Sequence, residues 1–501
     1  MMFGTFMEVL DTTVVNVSLP HIAGSLSATV DEATWVLTSY LVANAIILPI
    51  TGWLANFFGR KNLLLMSLTG FTVASLLCGL APNLPMLIVF RLLQGACGGC
   101  MQPLSQAVLL EAFPPEDRGK AMGFWGLGIV AAPVLGPVLG GWLTDTMSWR
   151  WVFYINLPVG IVSILMTQRF IFDPSYIKRA STRVDYWGIG MLAVWVGALQ
   201  IALDKGQEDD WLSSPKIVTM LVISGIFIIA FIWREIVAAA PVVSLTVFKT
   251  RTYAVGVFLM TLLGFGLYGS LVILPIWLQT LLGYPSIQAG IALAPRGLGS
   301  MLAMPLVGAI SSRFDNRKLL ACGLALCGYT MYSLSRLNLN VGYWDLFWPQ
   351  FLQGISLGLI FVPLTTVTMA AVKRENMGNA TSLFNLMRNI GGSMGIAATT
   401  ALTARYQQEH QNYAIRHINV FNPRYNSMLS GLRSMFMAQG ADPVEANRRA
   451  LASIYGMVQQ QTAMLTFVDV FRLLLMVFVV MLPLVFLLKK PPKGGPAASA
   501  H

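Results

Sequence analysis

Fourteen apolar stretches, most about 20 residues long, limit what this chain can fold into. They run over 1–20, 35–55, 62–81, 85–110, 121–143, 151–171, 185–203, 216–237, 252–277, 288–310, 317–336, 343–367, 378–404 and 466–488. Wound as helices, each is long enough for the roughly 30 Å hydrocarbon core of a bilayer. An outer-membrane barrel would alternate over about 10 residues instead. Only 11% of the 501 residues are charged and 55% are hydrophobic, against roughly 25% charged in a soluble domain. Such a chain could not cover its own surface in water, and it is far too apolar to be disordered. The expected fold class is an all-α membrane protein with 14 transmembrane helices. The first stretch starts at Met1 without a polar lead, which points to a longer natural N-terminus or a short first helix.

The formal charge is +11. The bases lie mainly in short loops between apolar runs, so they read as orientation signals and not as a nucleic-acid surface. With the N-terminus inside, the inner loops and tail hold Arg60, Lys61, Arg118, Lys120, Arg169, Lys178, Arg179, Arg183, Arg234, Lys249, Arg251, Arg313, Arg317, Lys318, Lys373, Arg374, Lys489, Lys490 and Lys493. The short outer loops hold Arg150, Lys205, Lys216 and Arg336. This bias predicts N-in and C-in. The five cysteines all lie inside apolar runs, and the Cys97–Cys100 pair has no companion His or second pair, so it reads as helix packing. His21, His410, His417 and His501 have no metal-ligand spacing and read as surface residues. There is no Walker A motif and no positioned Ser/His/Asp set. No metal, no enzyme activity and no cofactor beyond a coupling proton are expected.

Three local similarities recur at nearly one offset. GWLANFFGRK (Gly52 to Lys61) resembles GAISSRFDNRK (Gly308 to Lys318), 256 to 257 residues on. LLQG (Leu92 to Gly95) resembles FLQG (Phe351 to Gly354), and RGKA (Arg118 to Ala121) is echoed by MGNA (Met377 to Ala380), both 259 on. Chance matches would scatter. The offset equals eight spans, as two six-span halves joined by two extra spans would give: 1–171, a linker over 172–250, and 251–488, then a tail over 489–501. Parallel six-span halves around one path are the architecture of major facilitator transporters.

Ionisable groups inside hydrocarbon are rare, because each costs roughly 2.5–3.5 kcal/mol at mid-span on insertion scales. Here they are Glu8 and Asp11 in span 1, Arg91 in span 4, Arg296 in span 10 and Arg388 in span 13. Glu111, Asp469 and Arg472 sit near span ends and read as interfacial. Glu8 and Asp11 are three residues apart, on one helical face. Two carboxylates so close in a low dielectric do not both ionise cheaply unless a cation sits nearby. Asp11 is the expected main proton carrier, with Glu8 secondary and Arg91 as its natural partner; an Asp11–Arg91 ion pair that merely ties two helices is the alternative. Asn16, Arg296, Asn385 and Arg388 are candidates to line the substrate path, and the two arginines could equally be structural ties. In span 5, Gly128, Pro133, Gly136, Pro137, Gly140 and Gly141 form either a packing face or a bend that helps gate the path.

These motifs together resemble the major facilitator superfamily and, within it, the fourteen-span drug:proton antiporter family. LDTTVVNVSLP (Leu10 to Pro20) looks like that family's first-span motif with its coupling aspartate. RLLQGACGG looks like the partner motif with its arginine, Gly128 to Gly141 like the antiporter motif, and WRWVFYINLPVG (Trp149 to Gly160) like the start of span 6. The inner loop keeps Gly52, Gly59, Arg60 and Lys61 of the general motif but has Asn56 where aspartate is usual and Phe57 where a base is usual. The outer loop, about 405–465, is far longer than a typical loop and resembles that of EmrB-like subunits of tripartite efflux pumps. The resemblance implies a bacterial inner-membrane, proton-driven exporter of hydrophobic toxic compounds or drugs, working with an EmrA-like periplasmic membrane-fusion adaptor and a TolC-like outer-membrane channel. A nutrient or metabolite carrier of the same fold, acting by symport or uniport, is the rival reading. Within the loop, Asp442, Pro443 and Glu445 read as a helix start. Val444, Leu451, Ile454 and Val458 then make an apolar stripe, either a docking face for the adaptor or a surface packed on the transporter itself.

Overall fold

The computed structural model describes residues 2–114, 116–173, 185–238, 241–419 and 421–489. Lys178, Arg179, Arg183, Lys490 and Lys493 of the inner-loop count, and the tail from 490, lie outside the described residues. The described residues form an all-helical bundle. Its long helices are α1 (Met2–Ser25), α2 (Trp35–Phe58), α3 (Arg60–Leu80), α4 (Leu84–Ala112), α5 (Arg118–Thr146), α6 (Trp151–Phe170), α7 (Tyr186–Lys205) and α8 (Pro215–Val237). They continue with α9 (Arg251–Thr280), α10 (Ser286–Ile310), α11 (Asn316–Leu334), α12 (Tyr343–Ala370), α13 (Met377–Ile415), α14 (Pro423–Ala438) and α15 (Pro443–Val485).

Among the described residues, ten helices are both long and apolar enough to cross a bilayer, and an eleventh joins them if α5, bent by 41° between Pro133 and Leu135, counts as one span. The other three predicted spans, α1, α11 and α13, are long helices of more polar composition. Their polarity has a place in the bundle: α1 and α13 bury Glu8, Asp11, Asn385 and Arg388 against neighbouring helices, away from lipid. The boundaries follow local chemistry. Asn83 caps α4 by accepting from Met86 N at 3.0 Å, with Pro85 in the first turn. Asp185 caps α7 through Gly188 N at 3.1 Å. Gly59, at φ +85°, divides α2 from α3, and a Cβ there would lie 2.7 Å from Asp173 Oδ2.

Helices α1–α6 pack as one group and α9–α13 with α15 as another, and they meet along a seam where α2 and α4 face α13 and α5 faces α10. Two of the seam contacts are related by the repeat. Gly52 packs on the backbone of Gly378 and Asn379, and Gly308 packs on the backbone of Gly119 and Lys120. Gly52 and Gly308 are repeat partners, as are Gly119 and Gly378, so each half offers one glycine pair to the other. The two extra helices behave differently. α7 leans on both halves: Asp204 accepts from Thr38 of α2, and Gln200 Nε2 donates to Ser393 Oγ of α13 at 3.0 Å. α8 buries few residues and lies at the periphery.

Outside the apolar region, α13 runs on to Ile415 and α15 begins at Pro443, forming one helix with the last span. The predicted loop is therefore two helical extensions with α14 laid against α15. Of the stripe, Ile454 is buried, while Val444, at 80% exposure, and Leu451 face outward. The stripe is thus split between packing and surface. His410, read as a surface residue, is half-buried and lies 2.8 Å from Asp469 Oδ2.

Candidate functional site

Asp11 lies at the centre of a buried polar cluster drawn from five helices, in which Arg91 Nη2 has no partner among the described residues. Asp11 is 1% exposed, and Arg91 is fully buried. Arg91 Nη1 donates to Asp11 Oδ2. Asp11 Oδ1 accepts from Asn156 Nδ2 at 2.8 Å and from Gln94 Nε2 at 3.1 Å. Gln94 Oε1 in turn accepts from Arg91 Nη1 at 2.8 Å, and Arg91 Nε donates to the Val36 carbonyl at 3.0 Å. The guanidinium lies over the Tyr40 ring, 4.2 Å from its centroid. Asn156 Nδ2 also reaches Ser75 Oγ at 3.1 Å. α1, α2, α3, α4 and α6 therefore converge on one ion pair inside the N-terminal group. Sequence reasoning paired Asp11 with Arg91 but missed Gln94, Asn156 and Ser75; the signal was available as amide side chains within apolar spans.

Glu8 has different neighbours. It is 4% exposed, and its Oε1 accepts from Asn44 Nδ2 of α2 at 2.9 Å. Oε2 has no hydrogen-bond partner among the described residues. Gln102 of α4 and Arg388 of α13 lie beside it. Arg388 Nη2 donates to Gln102 Oε1, so the guanidinium of one half is tied to the other half. The tie continues along α4. Asn385 Nδ2 donates to Gln106 Oε1 at 2.6 Å, and Thr381 Oγ1 donates to the Pro103 carbonyl at 3.0 Å. Arg388 Nε and Nη1, Asn385 Oδ1 and Gln106 Nε2 remain buried without partners among the described residues. Spare hydrogen-bonding capacity in a buried cluster is costly unless something uses it. Asn16, the fourth path candidate, is exposed and lies outside this cluster.

Arg296 sits in neither cluster. It is buried within the C-terminal group, where Nη2 donates to Ser270 Oγ at 3.3 Å and Nη1 has no partner among the described residues. Gln353 Nε2 also donates to Ser270 Oγ, at 3.3 Å.

The span 5 glycines serve α1. A Cβ at Gly136 would lie 2.0 Å from Thr13 Oγ1, one at Gly140 2.8 Å from the Val14 carbonyl, and one at Gly128 3.0 Å from Met2 Cγ. Gly141 has open space. The other face of α5 meets α10 through Gly119, Gly123 and Gly126, which sequence reading did not single out. In the inner loop motif, Arg60 is buried and paired with Glu111, and Asp173 Oδ1 accepts from Lys61 N at 2.9 Å. The Glu111 side chain, near the end of α4, is almost wholly buried against its neighbours. Arg60–Glu111 and Asp173 supply charged contacts although Asn56 and Phe57 depart from the usual motif.

A family model described as Major Facilitator Superfamily matches residues 1–396. The chain belongs to that superfamily, whose members are membrane transporters and not enzymes. Within it, the chain is 37% identical over 493 residues to the fatty acid resistance protein FarB of Neisseria gonorrhoeae, covering 98% of this chain and 95% of that protein. It is 35% identical over 501 residues to the multidrug export protein EmrB of Escherichia coli, covering 99% and 96%. It is 40% identical over 421 residues to EmrB of Haemophilus influenzae, covering 84% and 82%. Among solved structures, the human organic anion transporter MFSD10 (TETRAN) matches with a TM-score of 0.58 at 13% identity, over 95% of this chain and 97% of that one. The proton:xylose symporter XylE matches with the same TM-score and identity over 96% and 94%. At that identity the likeness shows the fold alone.

Proposed function

We propose that this protein is a proton-driven antiporter that exports hydrophobic toxic compounds across the bacterial inner membrane. It crosses that membrane fourteen times, with both termini inside. Exported compounds pass to a periplasmic adaptor of the EmrA type and a TolC-type outer-membrane channel. The observation that carries this reading is a pair of fully buried carboxyl side chains, Glu8 and Asp11, in the first helix of a major facilitator bundle. A scaffold has no need to bear their cost. Relatives named for multidrug export and fatty acid resistance, similar over nearly the whole chain, support the direction and class of transport. The energy suffices: one proton entering down ~100 mV supplies about 2.3 kcal/mol, while a tenfold gradient costs about 1.4 kcal/mol.

The test is reconstitution in proteoliposomes with a long-chain fatty acid and a lipophilic cation as probes. Either probe should stimulate proton movement opposite to its own, and transport without proton movement would overturn the reading. Deleting about residues 425–460 should preserve this flux but abolish resistance in cells and pull-down of the adaptor, because only the outer extension is lost. A deletion variant that still binds the adaptor would place the docking face elsewhere.

A further inference from the structure

The two carboxyl groups of α1 differ in what surrounds them. Three residues of helix advance 300°, so Glu8 and Asp11 point about 60° apart. That turn is enough to give them different neighbours. Asp11 accepts three hydrogen bonds, one from a guanidinium, and every partner belongs to the N-terminal group. Protonating it would break an ion pair inside the N-terminal group, with no direct hydrogen-bond partner in the other group. Glu8 accepts from Asn44 Nδ2 and lies beside Gln102, with an oxygen that has no geometric partner among the described residues and the seam in front of it. Across the seam, Gln102 joins it to Arg388, which has two buried N–H-bearing nitrogens to spare.

We propose that Glu8, not Asp11, is the carboxyl that takes up and releases the transported proton, with Gln102 and Arg388 carrying its charge state to the C-terminal group. Asp11 is then a positioning residue that holds α1 against α3, α4 and α6. The assignment rests on the proton-driven reading above. The titratable or charged groups facing Glu8 are Arg388 on α13, Asp11 on α1 itself, Tyr40 on α2 and Cys100 on α4. α5 and α6, which also pack on α1, carry ionisable residues only near their ends. With Glu8 ionised, its charge and that of Arg388 compensate across the seam. With Glu8 neutral, Arg388 is left as an uncompensated buried cation, and the two groups lose part of their attraction. A proton on Glu8 is therefore felt by both halves at once, which coupling of proton to movement requires.

The experiment is an infrared titration of the full-length protein in lipid nanodiscs. It follows the carbonyl stretch of a buried neutral carboxyl from about pH 5 to pH 9. The wild type should show such a band, titrating within that range. Glu8→Gln should abolish it, Glu8→Asp should restore a titrating band with a shifted midpoint, and Asp11→Asn should keep it. Arg388→Gln should raise the midpoint by about one unit or more, because the ionised form loses its counter-charge. A band that survives Glu8→Gln and disappears in Asp11→Asn overturns the assignment, as does a wild type with no titrating buried carboxyl. An unmoved midpoint in Arg388→Gln overturns the link across the seam. Failure of the proton-driven reading itself appears elsewhere, as wild-type transport without proton flux in proteoliposomes.

Discussion

In the N-terminal group Asp11, Arg91 and Gln94 form a set in which each polar side chain serves another. At an offset of 259 residues, Ser270, Gln350 and Gln353 occupy the corresponding places in the C-terminal group. One bond of the pattern persists: Gln353 donates to Ser270 as Gln94 donates to Asp11. The charges do not persist. A serine replaces the carboxylate and a glutamine replaces the guanidinium. A buried cation near these residues, Arg296, enters from α10 and bonds only through Ser270 among the described residues. The repeat therefore preserves helix packing and a hydrogen-bond skeleton, while at these positions only the N-terminal half holds an ion pair. Charge within a transporter of this kind is a property of one half and of the seam, not of the repeat.

The largest effect expected from this difference is on folding stability. Arg91→Gln leaves the Asp11 carboxylate buried without its cation, and breaking one side of a buried pair costs about 3–5 kcal/mol. Arg296→Gln removes a guanidinium that has no carboxylate partner among the described residues and should cost under about 1 kcal/mol. Thermal unfolding in nanodiscs compares them, and equal losses would break the contrast between halves. Giving the N-terminal half the other half's residues, as Asp11→Ser with Arg91→Gln, should recover more than half of the loss. The two sites are in contact, so their effects should not add.

The seam glycines sharpen the comparison from the opposite direction, since here the halves are alike. A Cβ at Gly308 would lie 2.7 Å from the Gly119 carbonyl, and one at Gly52 2.7 Å from Asn379 N. Backbone cannot yield cheaply in close packing. Gly52→Val and Gly308→Val should each lower transport at least tenfold while the protein still inserts, and by similar factors. Gly141→Val, facing open space, should change little. A strong effect at only one of the two seam glycines would mean that the halves do not share the closure.

The smallest effect belongs to the outer extension, which has no counterpart in the N-terminal half. Backbone N–H groups of Glu445 and Val444 hold the Asp442 carboxyl below the usual carboxylate range. Their contribution is present above the ordinary carboxylate pKa and fades as pH falls through the lowered one. Asp442→Ala should therefore speed hydrogen exchange at the amides of residues 444–446 at neutral pH and make no difference in strong acid. Transport should be untouched.

Much of the fold was legible because membranes impose a coarse rule. The all-helical class and the places of most apolar helices follow from runs of apolar residues, and the offset between motifs from short patterns that recur. The N-cap at Asp442 was readable for the same reason, being local. The sequence also exposed which groups are anomalous, since any charge in an apolar run stands out. It did not reveal the amides that complete the clusters. Gln94, Gln102, Gln106 and Asn156 carry no net charge and gain meaning only from what lies across from them. The apolar stripe after Asp442 was visible, but α14 covers part of it, and the spacing could not say which part.

Hydropathy along the chain was enough to show a multi-helix membrane protein and to pick out the few ionisable side chains within its apolar runs. Those facts depend on hydropathy and on patterns at fixed offsets, which the one-dimensional string contains. It took the packing of distant helices to show that Glu8 meets the seam while Asp11, one helical turn away, bonds only within its own group. The partners that separate them, Asn156 and Arg91 on one side and Gln102 and Arg388 on the other, lie 80 to 380 residues along the chain. A helix fixes the angle between two of its own side chains; what stands at each angle is set by how distant helices pack.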